Sequence, residues 1–374
     1  MSSPVHYHLG QFPPAELDWQ RLIPLIGPAN AALARYDGLL SAIPSAGVLL
    51  SPLTMQEAVL SSRIEGTQAT MGEVLEVEAG GEPEGMTAPR RADAEEVLNY
   101  RRAMRITTGE LEHRPLSQHL LRQAHAVLME GVRGRDKAPG QYRRQQNWIG
   151  EHQCPIEQAS FVPIPQVQLA QGMDNFERFL LRMDFPDPLV QLALAHVEFE
   201  ALHPFEDGNG RLGRMLIPLF LYSRRLLSGP HFYVSAYFEQ RRDEYYGRLR
   251  AVSGGKDWTA WCAFFLEALR TQAIENESKA RAVLALYERV KDEVIKASHS
   301  QHAIRAVDFL FQTPIFKGPD FTAGANIPKP TATRMLGVLR EAGLLLTLRE
   351  GRGRRPGFFA FRELLNIAEG RNVF

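Results

Sequence analysis

Apolar residues recur at helical spacing through most of the chain. Val97, Leu98, Met104 and Ile106 give Ala94 to Ile106 one apolar face. Comparable runs predict helices over Ser117 to Glu130, Gln166 to Leu181, Leu189 to Leu202, Arg211 to Leu227, Glu239 to Val252 and Trp258 to Ala280, with further helix to about Ala297. Upstream, Met55, Ala58, Val59 and Ser62 place Thr54 to Glu65 on a helix that Gly66 stops. Two stretches break the helical period. Asn147 to His152 and Phe161 to Pro163 have apolar ends around turn residues, which predicts a hairpin. Near the end, three short helices (Ile304 to Phe311, Phe321 to Ala325, Thr331 to Ala342) precede two alternating segments, Leu344 to Leu348 and Gly357 to Phe361. The fold class is mainly α. Residues 1–90 read as an N-terminal helical region, 91–285 as a core, 286–299 as a connecting helix and 300–374 as a separate module. Glu78 to Gly85 is rich in Gly, Pro and Glu and is expected to form a mobile surface loop.

Composition adds exclusions more than identity. The 374 residues carry 43 Lys and Arg against 43 Asp and Glu, so no bulk charge points to nucleic acid or to an acidic substrate. Two cysteines, Cys154 and Cys262, do not make a disulfide framework, and a reducing compartment is the default. The start, Met1-Ser2-Ser3-Pro4-Val5-His6, lacks a basic-then-apolar signal, and no apolar stretch reaches the roughly 20 residues of a membrane span. The expected location is cytoplasmic, with no membrane contact.

Chemistry concentrates in His203-Pro204-Phe205-Glu206-Asp207-Gly208-Asn209-Gly210-Arg211-Leu212-Gly213-Arg214. Pro204 ends the preceding helix and leaves His203 at its terminus. Gly208 and Gly210 permit a tight turn with unmasked amides, and the helix opening at Arg211 points its positive dipole end at the same spot. Arg211 and Arg214 lie one turn apart and can reach a phosphate chain, while Asp207 can hold the Mg²⁺ that such a chain carries. Taken singly, each of these residues has an ordinary structural use in a helix-turn-helix corner. Their combination points to a nucleoside triphosphate.

This segment resembles the signature of the Fic family, His-x-Phe-x-[Asp/Glu]-Gly-Asn-Gly-Arg-x-x-Arg, at every fixed position. The resemblance implies transfer of AMP from ATP to a Tyr, Thr or Ser hydroxyl of a protein target, the chain itself included. It makes His203 the general base, Asp207 the Mg²⁺ ligand, Gly208, Asn209, Gly210 and Arg211 the anion hole around the α- and β-phosphates, and Arg214 the grip on the γ-phosphate. Ser61-Ser62-Arg63-Ile64-Glu65-Gly66 is similar to the family's inhibitory signature, [Ser/Thr]-x-x-x-Glu-[Gly/Asn]. Ser61 and Glu65 share one helix face, and the resemblance implies that Glu65 pairs with Arg214 and withdraws it from ATP. The inhibitory helix would then be carried in cis.

The same resemblance extends over nearly the whole chain. It implies a helical core with a β-hairpin flap, in which Asn147, Trp148, Ile149 and Gly150 lie over the nucleotide and line up the target as an added strand. Tyr245, Tyr246 and Leu249 match the wall around adenine; Ser253 stands where relatives often place an Asn that reads the base, which leaves base selectivity open. Residues 300–374 resemble the family's C-terminal winged-helix domain, with eleven Lys/Arg against six Asp/Glu and Arg349, Arg352, Arg354 and Arg355 at the wing tip, suited to either DNA or protein contact. His196, Glu200 and His203 at i, i+4 and i+7 have a metal-like spacing, but the zinc-protease pattern is absent and His196 reads as a hydrogen-bonded core residue. The competing readings are removal of AMP by the same site with Glu65 positioning water, γ-phosphoryl transfer, which the intact Gly-Asn-Gly turn disfavours, and a DNA-binding regulator that senses nucleotide. Whether the chain forms a homodimer is left open.

Overall fold

The computed structural model describes residues 3–43, 45–131, 137–151, 154–351 and 356–373. Of the positions singled out from sequence, His152, Arg352, Arg354 and Arg355 lie outside the described residues. The chain divides into two compact units. The first takes the segments up to Asp37, Leu60–Thr67 and Leu98–Ile274, and the second Gly38–Val59, Gln68–Val97 and Glu275 onward.

In the first unit the central element is the helix Pro188–Leu202, nearly all of whose residues are buried. Its start follows from local chemistry: the Asp187 carboxylate caps it by accepting from the Leu189 and Val190 N–H groups, each at 2.9 Å, and Pro188 sits where no intrahelical donor is needed. Leu169–Leu180 and Asn209–Ser223 pack on either side. Trp261, on the helix Trp258–Ser298, is fully buried and donates its indole N–H to the Ala193 carbonyl at 2.7 Å. His196 is a core residue held by two partners: one ring nitrogen lies 3.0 Å from the Gly213 carbonyl and the other 2.8 Å from the Tyr245 hydroxyl. A carbonyl only accepts, so Nδ1 carries the proton and Nε2 accepts from Tyr245. Burial pushes this imidazole down to about 3, and it stays neutral.

The expected hairpin is narrowed to one antiparallel bridge between Ile149 and Phe161. The second strand, Phe161–Val162, finds its other partner far away in sequence, pairing in parallel with Val5–His6. Tyr7 and His8 anchor that N-terminal strand: the Tyr7 hydroxyl donates to Glu198 at 2.7 Å, and His8 bridges Glu198 at 2.8 Å and the Ser253 hydroxyl at 2.7 Å. Period-two alternation cannot reveal a two-residue strand whose partner lies some 150 positions away.

In the second unit the helix Met71–Glu78 opens with a reciprocal capping box between Thr70 and Glu73. The C-terminal stretch runs helix Ala303–Gln312, strand Ile315–Lys317, helices Gly318–Gly324 and Lys329–Glu341, strands Leu346–Arg349 and Phe358–Ala360, and helix Arg362–Glu369. Phe358–Ala360 is the middle strand of a three-stranded antiparallel sheet, flanked by Ile315–Lys317 and Leu346–Arg349. The first strand and the last helix are additions to the sequence reading. Glu78 to Gly85, expected to be mobile, is anchored: Lys317 donates to the Gly80 carbonyl at 2.8 Å, and Arg349 donates to the Glu82 carbonyl at 3.0 Å while pairing with Glu76. Arg349, read as suited to either DNA or protein contact, has carboxylate and carbonyl partners within its own chain. Residues 286–298, read as a connecting helix, are the C-terminal part of Trp258–Ser298, one helix of 41 residues. No helix among the described residues is long and apolar enough to cross a membrane.

All four tryptophans (Trp19, Trp148, Trp258, Trp261) fall in the first unit, so their fluorescence reports its unfolding. Asp187→Ala removes the cap from the central helix and is expected to lower the stability of this unit by about 1–2 kcal/mol in urea denaturation. A change within error of zero would show that the cap does not set that helix.

Candidate active site

His203 terminates the central helix in a left-handed conformation, φ 44° and ψ 60°, which turns the chain out of the helix axis. The loop that follows is fixed by side chains from three directions. Asn209 clamps Phe205 both ways, its carbonyl accepting from the Phe205 N–H and its amide donating to the Phe205 carbonyl, each at 2.9 Å. Arg143, buried, donates to the His203 carbonyl at 3.0 Å, the Ile164 carbonyl at 2.5 Å and the Gln145 carbonyl at 3.1 Å. Asn147 adds a bond to the Phe205 carbonyl at 3.1 Å.

His125 supports the loop from below. Its ring stacks on Phe205 with centroids 3.8 Å apart. Its Nδ1 accepts from the Gly140 N–H at 2.9 Å and its Nε2 lies 2.9 Å from the Asp207 carbonyl, so only the neutral tautomer with the proton on Nε2 satisfies both. Burial pushes it down to about 4, in keeping with that state. Neither His125 nor Arg143 carried a sequence signal; His125 reaches the Asp207 carbonyl and Arg143 the His203 carbonyl, each 60 or more residues away in the chain.

The next helix begins at Asn209, two residues before the expected start, with Gly208 at φ 76° as its cap. The amides of Asn209, Gly210 and Arg211 therefore form its first turn and have no intrahelical acceptor. A Cβ at Gly208 would press on the Met129 sulfur at 2.8 Å, so both backbone and space call for glycine there. The Asp207 carboxylate, about half exposed, accepts from the Gly208 N–H at 2.6 Å and lies 3.5 Å from Arg211.

Arg214 is the most constrained charge in the site. It is 1% exposed; its Nε donates to the Ser61 hydroxyl at 3.0 Å, and Nη2 donates to the Ser61 carbonyl at 2.8 Å and to the Glu65 carboxylate at 2.6 Å. Burial alone would make this guanidinium easier to deprotonate, but Glu65 and other neighbours overcome that and hold it charged. A Cβ at Gly210 would overlap the Glu65 carboxylate, so the glycine makes room for the acid.

Beside these groups lies a cavity of about 450 Å³. Glu65, His203, Gly210 and Arg214 form one wall, Ile149, Gly150 and Phe161 another, and Tyr246 and Leu249 a third. Of the positions matched to an adenine wall, Tyr246 and Leu249 face the cavity. Tyr245 is fully buried and its hydroxyl is held by His196, while the Ser253 hydroxyl is held by His8. Trp148 is 41% exposed and donates to the Cys154 carbonyl at 2.9 Å. Burial pushes the His203 imidazole down to about 4, against smaller upward pulls from the Glu200 carbonyl and the Glu65 charge. A neutral imidazole at the cavity wall, beside the first turn of a helix and a buried cation, suits proton abstraction next to a bound anion.

The comparisons agree with this geometry. The profile of the Fic/DOC family N-terminal region matches residues 23–108 and that of the Fic/DOC family residues 115–221. Over 118 residues the chain is 31% identical to the protein adenylyltransferase Fic of Drosophila erecta and 32% identical to that of Drosophila yakuba, covering 31% of this chain. The matched stretch spans about a fifth (21%) of the length of those relatives. A crystal structure of a Fic family protein from Desulfovibrio desulfuricans G20 superposes with a TM-score of 0.59 at 21% identity, covering 93% of this chain and 98% of that one. Fic-1 (residues 134–508) from C. elegans gives 0.52 at 17%, covering 71% and 73%. At such identities the structural likeness speaks for the fold alone, and the profile matches supply the rest: this chain carries both the N-terminal domain and the Fic domain of the Fic/DOC family.

Proposed function

We propose that this protein is an adenylyltransferase that moves AMP from ATP to a Tyr, Thr or Ser hydroxyl of a protein, and that Glu65 restrains it in cis. The observation that carries this reading is the capture of Arg214 by Ser61 and Glu65 at the wall of a nucleotide-sized cavity that also contains His203. A guanidinium bonded to a carboxylate cannot also grip a terminal phosphate. Distant identity to proteins named protein adenylyltransferase Fic supports the same class of reaction.

In the open state the triphosphate lies against the first-turn amides of Asn209, Gly210 and Arg211, with its tail on Arg214. Neutral His203 takes the proton of the incoming hydroxyl; its oxygen bonds to the α-phosphorus, the bond from that phosphorus to the bridging oxygen breaks, and pyrophosphate leaves. Amides and guanidiniums fixed before the reaction stabilise the charge that grows on the phosphate oxygens. Asp207 fits a Mg²⁺ ligand: its carboxylate faces solvent, and no cluster of three or more metal-binding side chains occurs among the described residues, so the other ligands would come from phosphate and water. When bound, such an ion would neutralise the departing pyrophosphate. Ile149, Gly150 and Phe161 at the cavity edge support the flap role, in which a target segment is aligned beside His203. The element order of the C-terminal stretch supports a winged-helix module, and Arg349's bonds to Glu76 and Glu82 favour protein contact over DNA for its wing.

With Mg²⁺ and ATP, Glu65→Gly is expected to self-label from α-labelled but not γ-labelled ATP at least about tenfold faster than wild type, and adding His203→Ala should lower that rate by about 10²-fold or more. Equal, low labelling in wild type and Glu65→Gly would remove the inhibitory role; transfer of the γ label would replace the reaction. A general base held near 4 is unprotonated across neutral pH and is lost only as pH falls through that value. The Glu65→Gly rate should therefore change less than about twofold between pH 7 and 5.5, whereas an unperturbed imidazole would lose about 90% of its base form. A limb centred near 6.5 would contradict the buried, neutral assignment.

A further inference from the structure

Glu200 is a buried acid of this site that the scheme above does not use. It sits three residues before His203 on the central helix and lines the same cavity as Glu65 and Arg214. Its carboxyl rests over Gly213, where a Cβ would overlap Oε1, just as the Glu65 carboxylate rests over Gly210. Gly210, Gly213 and Arg214 share one face of the same helix, at i, i+3 and i+4. Two carboxyls thus lie over a strip of two glycines beside one guanidinium. Glu65 is bonded to Arg214, but Oε1 of Glu200 is closed off from solvent and has no hydrogen-bond partner. Glu200 lines the cavity with hydrogen-bonding capacity unused by the protein, which leaves its carboxyl available to a group that enters the cavity.

Resting on the adenylyltransferase reading, we propose that Glu200 is a triphosphate-binding residue: a neutral carboxylic acid whose O–H donates to a phosphate oxygen of the tail held by Arg214. Burial pushes the Glu200 carboxyl up to about 8; Arg214 pulls it back and Glu65 adds to the rise. An incoming triphosphate replaces one anion beside it by another, so the proton stays in both states. From the Arg242–Gly255 helix, Arg242, Tyr245, Tyr246 and Arg250 are near: Arg242, Tyr246 and Arg250 line the cavity, and both tyrosines remain protonated, Tyr246 being pushed up to about 12. On its own helix His203 is neutral above about 4. Among these groups Glu200 is therefore the one that ionises between pH 7 and 9, and its carboxylate would repel the phosphate it contacts when protonated.

The test is binding of α,β-methylene ATP, which cannot release pyrophosphate, and of AMP, which lacks the tail, to full-length Glu65→Gly with and without Glu200→Gln or Glu200→Ala. In Glu65→Gly the loss of the Glu65 charge lowers the pH at which Glu200 ionises, so the affinity for the triphosphate should fall by at least about tenfold from pH 7 to pH 9, while that for AMP should not move. The Gln amide keeps a donor but cannot ionise. Glu65→Gly/Glu200→Gln should therefore hold its affinity across that range, and Glu65→Gly/Glu200→Ala should bind the triphosphate about tenfold more weakly at pH 7. Parallel pH profiles for Glu65→Gly and its Gln derivative, or an equal alkaline loss of AMP, overturn the contact, as does a Gln derivative as weak as the Ala one at pH 7. Thermal melts keep folding defects apart from binding defects, since a purely structural Glu200 would shift melting without changing the pH profile. Failure of Glu65→Gly to bind either nucleotide overturns the parent reading and this contact together, and is distinct from a loss of the pH signature alone.

Discussion

The Arg214 guanidinium is 1% exposed and bonded to a carboxylate, and that buried charge pairing organises this site. The carboxylate is that of Glu65, supported by the hydroxyl and carbonyl of Ser61. Taking away the acid without replacement leaves a buried cation uncompensated, a condition that costs several kcal/mol in typical proteins. The position is therefore poised to accept another anion, and the cavity beside it is large enough for a nucleotide. In this account inhibition and substrate binding are two occupants of one electrostatic vacancy. Glu65 is the half of the pair open to solvent, its side chain 34% exposed against 1% for Arg214.

The rest of the site keeps His203, the proposed base, neutral and in one place. His203 caps a helix buried along nearly its whole length, in a backbone conformation that Asn209, Arg143 and Asn147 hold through carbonyl and amide bonds. Two further histidines behind the loop, His125 and His196, are fixed as neutral tautomers by one carbonyl acceptor and one donor each. Neither of these buried rings therefore adds a positive charge to the site.

Much of this was legible in the sequence because it rests on local chemistry. The central helix ended before Pro204 as expected, the next began two residues earlier than the glycines suggested, and the His203 to Arg214 segment stood out through residues adjacent in the chain. Glu65 and Ser61 were legible only through the family resemblance, and the fold brings them to Arg214 across some 150 residues. What stayed hidden depends on contacts that no local pattern encodes. The two-residue strand Val5–His6 gains meaning only beside Phe161–Val162. Arg143 works on backbone carbonyls, which carry no residue code. Glu200 drew notice for a metal-like spacing, yet its environment is set by Gly213 on the next helix. Ser253, aligned to a base-reading position, is instead committed to His8. Helical periodicity places such side chains on a face and does not say what faces them.

The claim that Glu65 and the triphosphate tail compete for Arg214 is tested most directly by the ratio of ATP to ADP affinity, measured by titration calorimetry in wild type and in Glu65→Gly. In the wild type the guanidinium is already bonded, so ATP and ADP should bind within about threefold of each other. In Glu65→Gly the freed Arg214 should favour ATP by at least about tenfold, or ~1.4 kcal/mol. The same ratio in both proteins would contradict the account, because the acid and the terminal phosphate would then not share a partner.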